Sequence, residues 1–475
     1  MKFSTITQTR FFTTLPAWLL FIAFTSGSMV SCTNKSEKKV VELGAQPTVD
    51  SIYITQFMTA DLSLKGELIW AKRFYNERKN RLGWFKNHTV VPEADQLLSV
   101  ISKAAEEGLN PEDYKTKNFE QLFSELEKVK SDSVKRNELE KQIDLSLSGT
   151  YFKWASDYYR GIVPPTENKS LEWDVKRNKI KLHKALMTFL KERKSRYGYA
   201  SFKPLHPQYS NLKTALKKYR EVQKNGGWPT ISATNLNPGV ASPDVVNLRK
   251  RFMIAADSTS QVYDAALQSE VKNFQQQNNL KPSGILNSAT VKLLNVPVSQ
   301  RIRQVIINME RWRWIPKSFE PDYLLVNIPE FKLHVMEKNK EAFTMRVIVG
   351  KELHNTPIFS DKMETVVLSP YWNVPVSIVV NELQSNLISD PSYLERLDME
   401  VIDNKSNIVD YNSIDWAAVT EENFKYVIRR RPGPKNDLGD VKFISRTPAT
   451  SIYMIHRTIN YSVKPSAALA MVAFV

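Results

Sequence analysis

The sequence contains very little cysteine, and this absence sets the first limits on its chemistry. Cys32 is the only cysteine among 475 residues, so no disulfide can form within the chain. The apolar run at residues 15–24 is too short to span a bilayer comfortably. Positive charge, in contrast, is plentiful, with a net charge of +16, and the chain is long enough for two or three domains.

This positive charge is compatible with two classes of partner, nucleic acid and an anionic cell envelope. The N-terminus decides between them. Lys2 and Arg10 precede the apolar run, and small residues follow it up to Cys32, which is the pattern of a secretory signal peptide over residues 1–31. We therefore expect export to the periplasm, and we exclude nucleic acid as a partner.

The residues directly before Cys32 resemble the cleavage box of a lipoprotein, with Met29 where leucine is more usual. We predict cleavage before Cys32 and lipidation of its thiol, so that the mature protein is held at a membrane through a lipid anchor. The polar, lysine-rich residues 32–49 would then form a lipidated tether. The alternative is an uncleaved N-terminal anchor.

Residues 50–229 show the spacing of apolar side chains that is typical of amphipathic helices. Gly108 and Gly161 are predicted to end two of them. The inward face of the longer helix is predicted to contain Asp144, Leu145, Leu147, Tyr151, Phe152 and Ala155. We expect no chemistry in this region. Its polar candidates are interpreted as surface or capping residues (Glu112, Asp157, Arg160), and its tryptophans as core (Trp70, Trp84, Trp154, Trp173).

Residues 240–298 contain a second, smaller set of helical patterns, in which Val246, Leu248 and Phe252 share one face. Residues 299–320 follow as a basic, aromatic linker helix. Its Trp312 and Trp314 are expected to pack at the junction between domains and not to bind sugar.

From residue 324 onward the pattern changes to that of β-strands. Phe331, Leu333 and Val335 alternate with Lys332, His334 and Met336, which predicts a half-buried strand. A polar turn is predicted at residues 338–340, followed by strands at residues 344–349 and 365–368.

Two prolines, Pro370 and Pro375, then bracket an aromatic pair. Because proline interrupts the hydrogen bonds of a sheet, we expect Tyr371 and Trp372 to lie at a sheet rim, where ligand grooves form. Together with Asn373 they are the predicted substrate-binding residues. The alternative is an ordinary antiparallel β domain with its aromatics in the core.

Several stretches of this region, in the family's order, resemble the YkuD-type catalytic domain of large murein L,D-transpeptidases. They are VNIPEFKLHVME, MRVIVGK, TPIFS, PYWNVP, the dipeptide DW at 415–416, and RPGPKNDLGDVKF at 431–443. Upstream, FYNERKNRLGWF, AEEGLNPEDY, DYYRGIVPP and GGWP resemble the scaffold domain of the same enzymes, and residues 245–295 resemble their peptidoglycan-binding-like domain.

The resemblance implies an α+β multidomain fold. It consists of a helical scaffold domain (50–229), a three-helix peptidoglycan-binding-like module (240–298), the linker helix (299–320) and an incomplete, mainly-β catalytic domain (321–475). It also implies peptidoglycan stem peptides and glycan as partners, with no cofactor or metal. The small module either docks on cell-wall glycopeptide or only orients the catalytic domain.

The catalytic residues that the resemblance implies are absent. The family uses a cysteine thiolate, with a Tyr-Leu-His-Asp-Thr-Pro segment and a Ser-x-Gly-Cys-x-Arg motif, and the chain has neither. His456 has no thiol to activate, and no supporting motif surrounds Ser445, Ser451 or Ser462. We therefore assign no catalytic residue.

A shift of reading frame near the Ile444 codon accounts for the missing motifs. Each new codon then takes the last base of one residue's codon and the first two bases of the next. This frame permits Tyr-Leu-His-Asp-Thr-Pro across residues 451–457 and Ser-His-Gly-Cys-Ile-Arg across 469–475. Three junctions force one residue each, and it is the residue that the family has there: Asp at Met454/Ile455, Leu at Asn460/Tyr461, Gly at Met471/Val472. We infer a frameshift, by mutation or sequencing error, and a truncated catalytic domain.

Two functions from different classes follow. The first is a peptidoglycan L,D-transpeptidase, an acyltransferase that cross-links stem peptides but is inactive in the chain as written. The second is a non-catalytic peptidoglycan-binding envelope lipoprotein.

Overall fold

The computed structural model describes residues 47–164, 173–174, 178–191, 206–254, 258–315, 319–350, 356, 358–445, 452–455 and 470–474. Side chains are described for these residues except at 173–174, 445, 452–455 and 470–474. The predicted signal peptide and Cys32 lie outside the described residues. In the parts of the chain that are described, every helix is too short or too polar to cross a membrane.

Residues 51–191 form an α-helical region around one large core. Its elements are α1 (Ser51–Ala60), α2 (Leu68–Glu77), β1 (Phe85–Lys86), β2 (Thr89–Val90), α3 (Glu93–Ser102), α4 (Lys117–Lys128), α5 (Ser133–Arg160), β3 (Trp173–Asp174) and α6 (Leu182–Lys191). Helix α5 has 28 residues and is buried on nearly all sides from Ile143 to Ala155, as expected of a helix in the centre of a core. Its N-terminus is capped by the Asp132 carboxylate, and it ends at Gly161 as predicted.

The expected roles of the polar and aromatic residues in this region are only partly correct. Glu112 is exposed and pairs with Lys117. Asp157 is 9% exposed, accepts a hydrogen bond from the Tyr114 hydroxyl (3.2 Å) and pairs with Lys153 (3.0 Å). The surface interpretation of Asp157 is therefore wrong, because two partners from the helical core compensate its burial. Among the tryptophans, Trp84 and Trp154 are buried and Trp70 packs against the core, whereas the side chain of Trp173 is not described.

The smaller helical module has a separate core around Leu248, Leu267 and Val271. The module consists of α8 (Pro243–Phe252), α9 (Ala265–Gln277) and α10 (Ser288–Leu294). Helix α7 (Pro207–Lys224) precedes it in the chain, and α11 (Val298–Trp314) follows it. The side chains of Ser242, Asp264 and Asn287 cap the three helices of the module. Its buried Gln275 amide donates to Ile285 O and Thr290 Oγ1 and accepts from Gly284 N, so both ends of this buried amide are satisfied.

Helices α7 and α11 pack against each other and enclose a further cluster of apolar side chains. Arg313 of α11 is 1% exposed and donates to Glu107 O, the Tyr209 hydroxyl (2.7 Å) and Glu310 Oε2 (3.1 Å). At Gly161, an added Cβ would lie 2.5 Å from a Glu310 oxygen, so only glycine permits this approach of α5 to α11. Trp314 is buried and Trp312 stacks on His206, which agrees with the predicted junction packing.

The C-terminal region contains two sheets built from the following strands: β4 (Tyr323–Asn327), β5 (Lys332–Glu337), β6 (Lys340–Arg346), β7 (Ile358–Leu368), β8 (Trp372–Asn373), β9 (Met399–Ile402), β10 (Ile408–Val409), β11 (Val427–Arg430), β12 (Val441–Ser445), β13 (Ile452–Ile455) and β14 (Ala470–Phe474). The larger sheet has the order β13-β12-β7-β14-β4-β5-β6, and β3 pairs in parallel with β7. The molecule is therefore α+β, with helices preceding a mainly-β region.

The smaller sheet has the order β10-β9-β11-β8. Between β8 and β9 the chain is largely helical. A π-helical turn, Val379–Leu383, joins α12 (Val376–Ile378) to α13 (Gln384–Ser389), and α14 (Tyr393–Arg396) follows. These helices and the sheet share a core that includes Val379, Leu394 and Ile428. Because β8 is at the edge of this sheet and follows β7 of the larger one, residues 369–371 connect the two sheets.

The predicted strands exist, with different bounds. Leu333 and Val335 are 7% and 8% exposed, as the alternation predicts. Phe331 is not in the strand, because Ile328–Glu330 form a 3₁₀ turn and leave Phe331 at φ 57° with 53% of its surface exposed. The returning strand β6 ends at Arg346, so residues 347–349 lie outside it, and β7 begins seven residues earlier than predicted, at Ile358 rather than Thr365. The linker helix ends at Trp314.

Candidate functional site

The predicted substrate-binding residues lie at the edge of the smaller sheet. Trp372 and Asn373 form β8, which pairs on one side with β11 (Arg430 with Trp372, Arg429 with Asn373). Tyr371 is 45% exposed, Asn373 is exposed and Trp372 is partly buried against the core of this sheet. The prolines thus end the strand as expected, and the aromatic pair lies at a rim that is open to solvent.

Three consecutive arginines lie beside this rim: Arg429 and Arg430 of β11, and Arg431 directly after it. The Arg429 guanidinium lies 4.2 Å from the centre of the Tyr371 ring, and that of Arg430 lies 5.4 Å from the Trp372 ring. Both distances are in the range of cation–π attraction. The antiparallel register of β8 and β11 sets Arg430 directly beside Trp372. Arg429 is paired with Asn373 and reaches the Tyr371 ring diagonally, two residues away along the chain.

A buried carboxylate holds two of the arginines. Glu400 on β9 is 7% exposed; its Oε1 accepts from Arg429 Nε (2.7 Å) and its Oε2 accepts from Arg431 Nε (2.8 Å). Burial alone would raise the pKa of Glu400, but hydrogen bonds and attraction from Arg431 and Arg429 hold it below its ordinary value. Glu400 is therefore ionised at neutral pH and fixes both guanidinium groups in place.

The turn after β11 is fixed by Asn436, a residue that is 3% exposed. Its amide nitrogen donates to Pro370 O (2.8 Å) and Arg431 O (3.1 Å), and its oxygen accepts from Leu438 N (2.8 Å). This residue ties the start of the rim to the arginine strand. The sequence signal was the RPGPKNDLGDVKF stretch, which indicated a family but not this structural role.

The arrangement can bind a ligand but shows no nucleophile. Arg430 pairs with Asp437, and Arg429 pairs with Glu400. Arg431 pairs with both Glu400 and Asp398, so three carboxylates match the three guanidinium charges. A guanidinium on an exposed ring suits a planar amide or carboxylate ligand. Within the described ranges no residue is a cysteine, and no group of three or more His, Cys, Asp and Glu side chains could hold a metal ion.

The candidate nucleophiles and base from the C-terminus are not brought to this rim by any described contact. Cys32, Ser451, His456 and Ser462 lie outside the described residues, and Ser445 is described only by its backbone, at the end of β12. The two segments in which the other frame would encode the histidine and cysteine motifs include β13 and β14, whose backbones pair with β12 and with β4 and β7.

Three family models match successive parts of the chain. The model described as "Scaffold domain" matches residues 70–216, "Putative peptidoglycan binding domain" matches 241–294, and "L,D-transpeptidase catalytic domain" (YkuD) matches 321–468. A curated protein of Haemophilus influenzae, described as "Putative L,D-transpeptidase", is 32% identical over 158 residues, which is 33% of this chain. The match spans 31% of that relative's length. The chain is therefore similar, in this order, to the scaffold, peptidoglycan-binding and L,D-transpeptidase catalytic domains that these models describe.

Proposed function

We propose that this chain comes from a peptidoglycan L,D-transpeptidase whose catalytic thiol and histidine are encoded in another reading frame. The reaction is acyl transfer between stem peptides. The cysteine thiolate attacks a peptide carbonyl, the C–N bond breaks, and histidine gives a proton to the leaving amine. The amine of a second stem peptide then attacks the thioester and gives a proton back to the histidine, so that the new C–N bond forms the cross-link, the C–S bond breaks and the thiolate is released. The step needs no metal or cofactor.

The observation that carries this proposal is the set of three forced codons. Asp, Leu and Gly arise at junctions where the genetic code allows no other residue, and each occurs at the family's spacing. As written, the chain has one thiol, Cys32, which precedes the matched catalytic residues by nearly 290 positions. A serine without a paired base is a weak nucleophile, so the written chain is expected to be inactive.

The rim supports the substrate side of the proposal. Tyr371, Trp372 and Asn373 form a solvent-open edge against which the planar guanidinium groups of Arg429 and Arg430 lie. Stem peptides present amide planes and carboxylates, which are the groups that such an edge would contact. We assign these three residues to substrate binding on that basis.

The test compares two proteins. One is the chain as written; the other is translated, past the position of Val475, from a gene in which one base is inserted before the Ser445 codon to restore the frame. Each is incubated with a carbapenem and analysed by intact-protein mass spectrometry. The restored protein should gain one covalent adduct, on the cysteine of the recovered motif, and the given chain should gain none. An adduct on the given chain anywhere within 321–475 would disprove both the frameshift and the inactivity. Sequencing of the locus around the Ile444 codon decides whether the shift is in the gene.

The second candidate is a non-catalytic envelope lipoprotein that binds peptidoglycan. It is favoured by the single cysteine after a signal-like segment and by the peptidoglycan-binding match at 241–294. Cys32→Ala should then release the protein from membranes or block its processing. Unchanged fractionation and migration of Cys32→Ala would refute the lipid anchor. The protein should also sediment with insoluble peptidoglycan at low and moderate salt, whereas binding that follows net charge alone would vanish uniformly as salt is raised.

A further inference from the structure

A solvent-open cavity of about 460 Å³ lies where the small helical module meets the α7–α11 pair. Helices α8 and α9 of the module form one wall, and α7 and α11 form the other. The lining includes Arg251, Phe274, Asn273 and Gln277 from the module and Arg301 from α11. We call it the seam cavity, because neither the module nor the helix pair could form it alone.

Arg251 is the distinctive group of the seam cavity. Its guanidinium lies 3.6 Å from the centre of the Trp228 ring and 5.9 Å from that of Phe274. Its Nε is buried without a hydrogen-bond partner, and no ion pair joins it to any residue that the structure describes. The Trp228 ring is itself supported edge-on by Tyr219. Aromatic packing therefore orients this guanidinium while its hydrogen-bonding groups remain largely unused.

A second guanidinium reinforces the positive charge. Arg301 donates to Gln304 Oε1 (3.1 Å) and makes a long contact with Leu293 O (3.5 Å), both neutral groups. Burial lowers the pKa of Arg251 to about 10; attraction from Tyr219 opposes this effect and repulsion from Arg301 adds to it. At neutral pH both groups are charged. In the described lining Glu270 is the one carboxylate, and it forms no ion pair with either arginine.

The remaining polar groups of the cavity wall are side-chain amides. Asn273 and Gln277 are one helical turn apart on α9, both exposed, and neither makes a hydrogen bond within the described part of the chain. Amides can donate to and accept from a peptide backbone, so they complement a ligand that is itself rich in amides.

We propose that the seam cavity binds a carboxylate of a peptidoglycan stem peptide, with Arg251 as its anchor and the amides of Asn273 and Gln277 contacting the adjacent peptide groups. The proposal rests on the proposed binding of peptidoglycan by this protein and locates that binding. A carboxylate fits because its two oxygens match the planar donor array of one guanidinium. It also supplies the negative charge that two neighbouring arginines lack.

The first test substitutes the anchor. The purified full-length protein, in detergent, is titrated with insoluble peptidoglycan, and the unbound fraction gives the affinity. Arg251→Gln should weaken binding about 10- to 100-fold, the range for loss of a charge-assisted hydrogen-bonded contact. Arg251→Lys should be intermediate, because it keeps the charge but loses the planar array. Lys250→Gln is the matched control: it removes one charge from the neighbouring, exposed position and should leave affinity unchanged.

The second test changes the ligand and leaves the protein intact, so that misfolding of a variant cannot produce the result. Peptidoglycan whose carboxyl groups have been converted to methylamides should bind the unsubstituted protein as weakly as Arg251→Gln binds native peptidoglycan. If amidation and Arg251→Gln both leave affinity unchanged, the seam cavity is not the site, although peptidoglycan binding stands. If the unsubstituted protein does not bind native peptidoglycan at all, the proposed binding function fails together with the site.

Discussion

Two buried carboxylates, one in each half of the molecule, are stabilised in opposite ways. Asp144 in the helical region is fully buried and accepts from three neutral donors: the Tyr75 hydroxyl (2.6 Å), Gly83 N (3.0 Å) and Trp84 N (2.7 Å). Glu400 in the smaller sheet accepts from guanidinium groups instead. Burial raises the pKa of Asp144 to about 6 despite those hydrogen bonds, whereas the arginines keep the pKa of Glu400 below its ordinary value.

The difference indicates what each region is built for. Asp144 fixes the backbone that enters β1. Its hydrogen-bond network is fully buried in the core and presents no charge to solvent, so we expect Asp144 to contribute to the stability of the fold. Glu400 fixes arginines whose other faces remain at a solvent-open rim, so it organises a surface that can bind. The carboxylate of the helical region thus lies inside a core, whereas the carboxylate of the smaller sheet positions side chains at the surface.

Among the substitutions that test this comparison, Asp144→Ala is expected to lower the free energy of unfolding the most. It would leave the Gly83 and Trp84 N–H groups buried without an acceptor and would remove one of the two partners of the Tyr75 hydroxyl, the other being Ser148 Oγ (2.8 Å). We expect a cost of about 3–5 kcal/mol in the free energy of unfolding of the helical region. Hydrogen exchange of the amides at residues 81–86 measures it. Asp95→Ala, at an exposed position of α3, is the control and should cost less than about 1 kcal/mol. Equal costs would contradict the buried network.

The pH dependence of the Asp144 contribution follows from its raised pKa. The folded state holds this proton more tightly than the unfolded state, so the contribution to stability is largest below pH 3.8 and is lost as the pH rises through about 6. At about 1.4 kcal/mol for each pKa unit, the loss is about 3 kcal/mol. Urea unfolding at pH 4 and pH 7 measures this loss: the free energy of unfolding should fall more for the unsubstituted protein than for Asp144→Asn. If it changed equally with pH in both proteins, the raised pKa of Asp144 would be excluded as the cause.

His206, at the contact between α7 and α11, should show the reverse trend. It is 8% exposed and stacks on Trp312 at 4.5 Å, and its Nδ1 accepts from Gln208 N, which requires the neutral ring. Burial lowers its pKa from 6.5 to about 4, so its contribution is present above pH 6.5 and is lost as the pH falls toward 4. The loss is about 3 kcal/mol. His206→Asn keeps a helix-capping side chain but does not titrate, and its stability should lack this acidic decline.

Asn436→Ala tests whether the rim depends on its turn. The variant leaves three carbonyl or N–H groups without their partner, and we expect a cost of about 2–3 kcal/mol, confined to the smaller sheet. Hydrogen exchange should accelerate at residues 371–374 and 428–431 and remain unchanged in α5. Acceleration throughout the protein would mean that the two regions unfold as one unit.

Glu400→Gln should have the smallest effect on stability, about 1–2 kcal/mol, because the amide oxygen still accepts one hydrogen bond and Arg429 and Arg431 are partly solvated. The lowered pKa of Glu400 means that its advantage over glutamine is present above its ordinary pKa of 4.5 and is lost as the pH falls. Asp437→Asn, which affects only the exposed partner of Arg430, is the matched control and should stay within about 1 kcal/mol. If Asp437→Asn lowered the free energy of unfolding as much as Glu400→Gln does, the buried carboxylate would have no special role in stability.

Local patterns in the sequence predicted what depends on neighbouring residues. The alternation of Leu333 and Val335, the glycine that ends α5 and the rim position of Tyr371 are all consequences of period and of glycine or proline chemistry. Phe331 was misplaced because a 3₁₀ turn interrupts the alternation, and period-two patterns contain no information about such a turn.

Features made by distant residues were not predicted. Glu400 meets Arg429 and Arg431 only through the register of β9 with β11, about thirty positions apart. The seam cavity likewise depends on how α7 and α11 pack on the module. The sequence around Asp157 did not indicate that Tyr114 and Lys153 would be its partners. Sequence patterns specify the faces of elements, whereas these sites arise where the faces of different elements meet.

The position of Arg313 has a mechanical consequence. Helix α11 runs without interruption for 17 residues, about 25 Å, from the end of the small module to Trp314, and residues 315–322 separate it from β4 of the larger sheet. If the module holds the cell wall, tension along this helix would reach Arg313 before it reached β4, and Arg313 is hydrogen-bonded to Glu107 O of the helical region and to the Tyr209 hydroxyl of α7. Part of such a load would therefore pass through Arg313 to its partners before it reached the sheet.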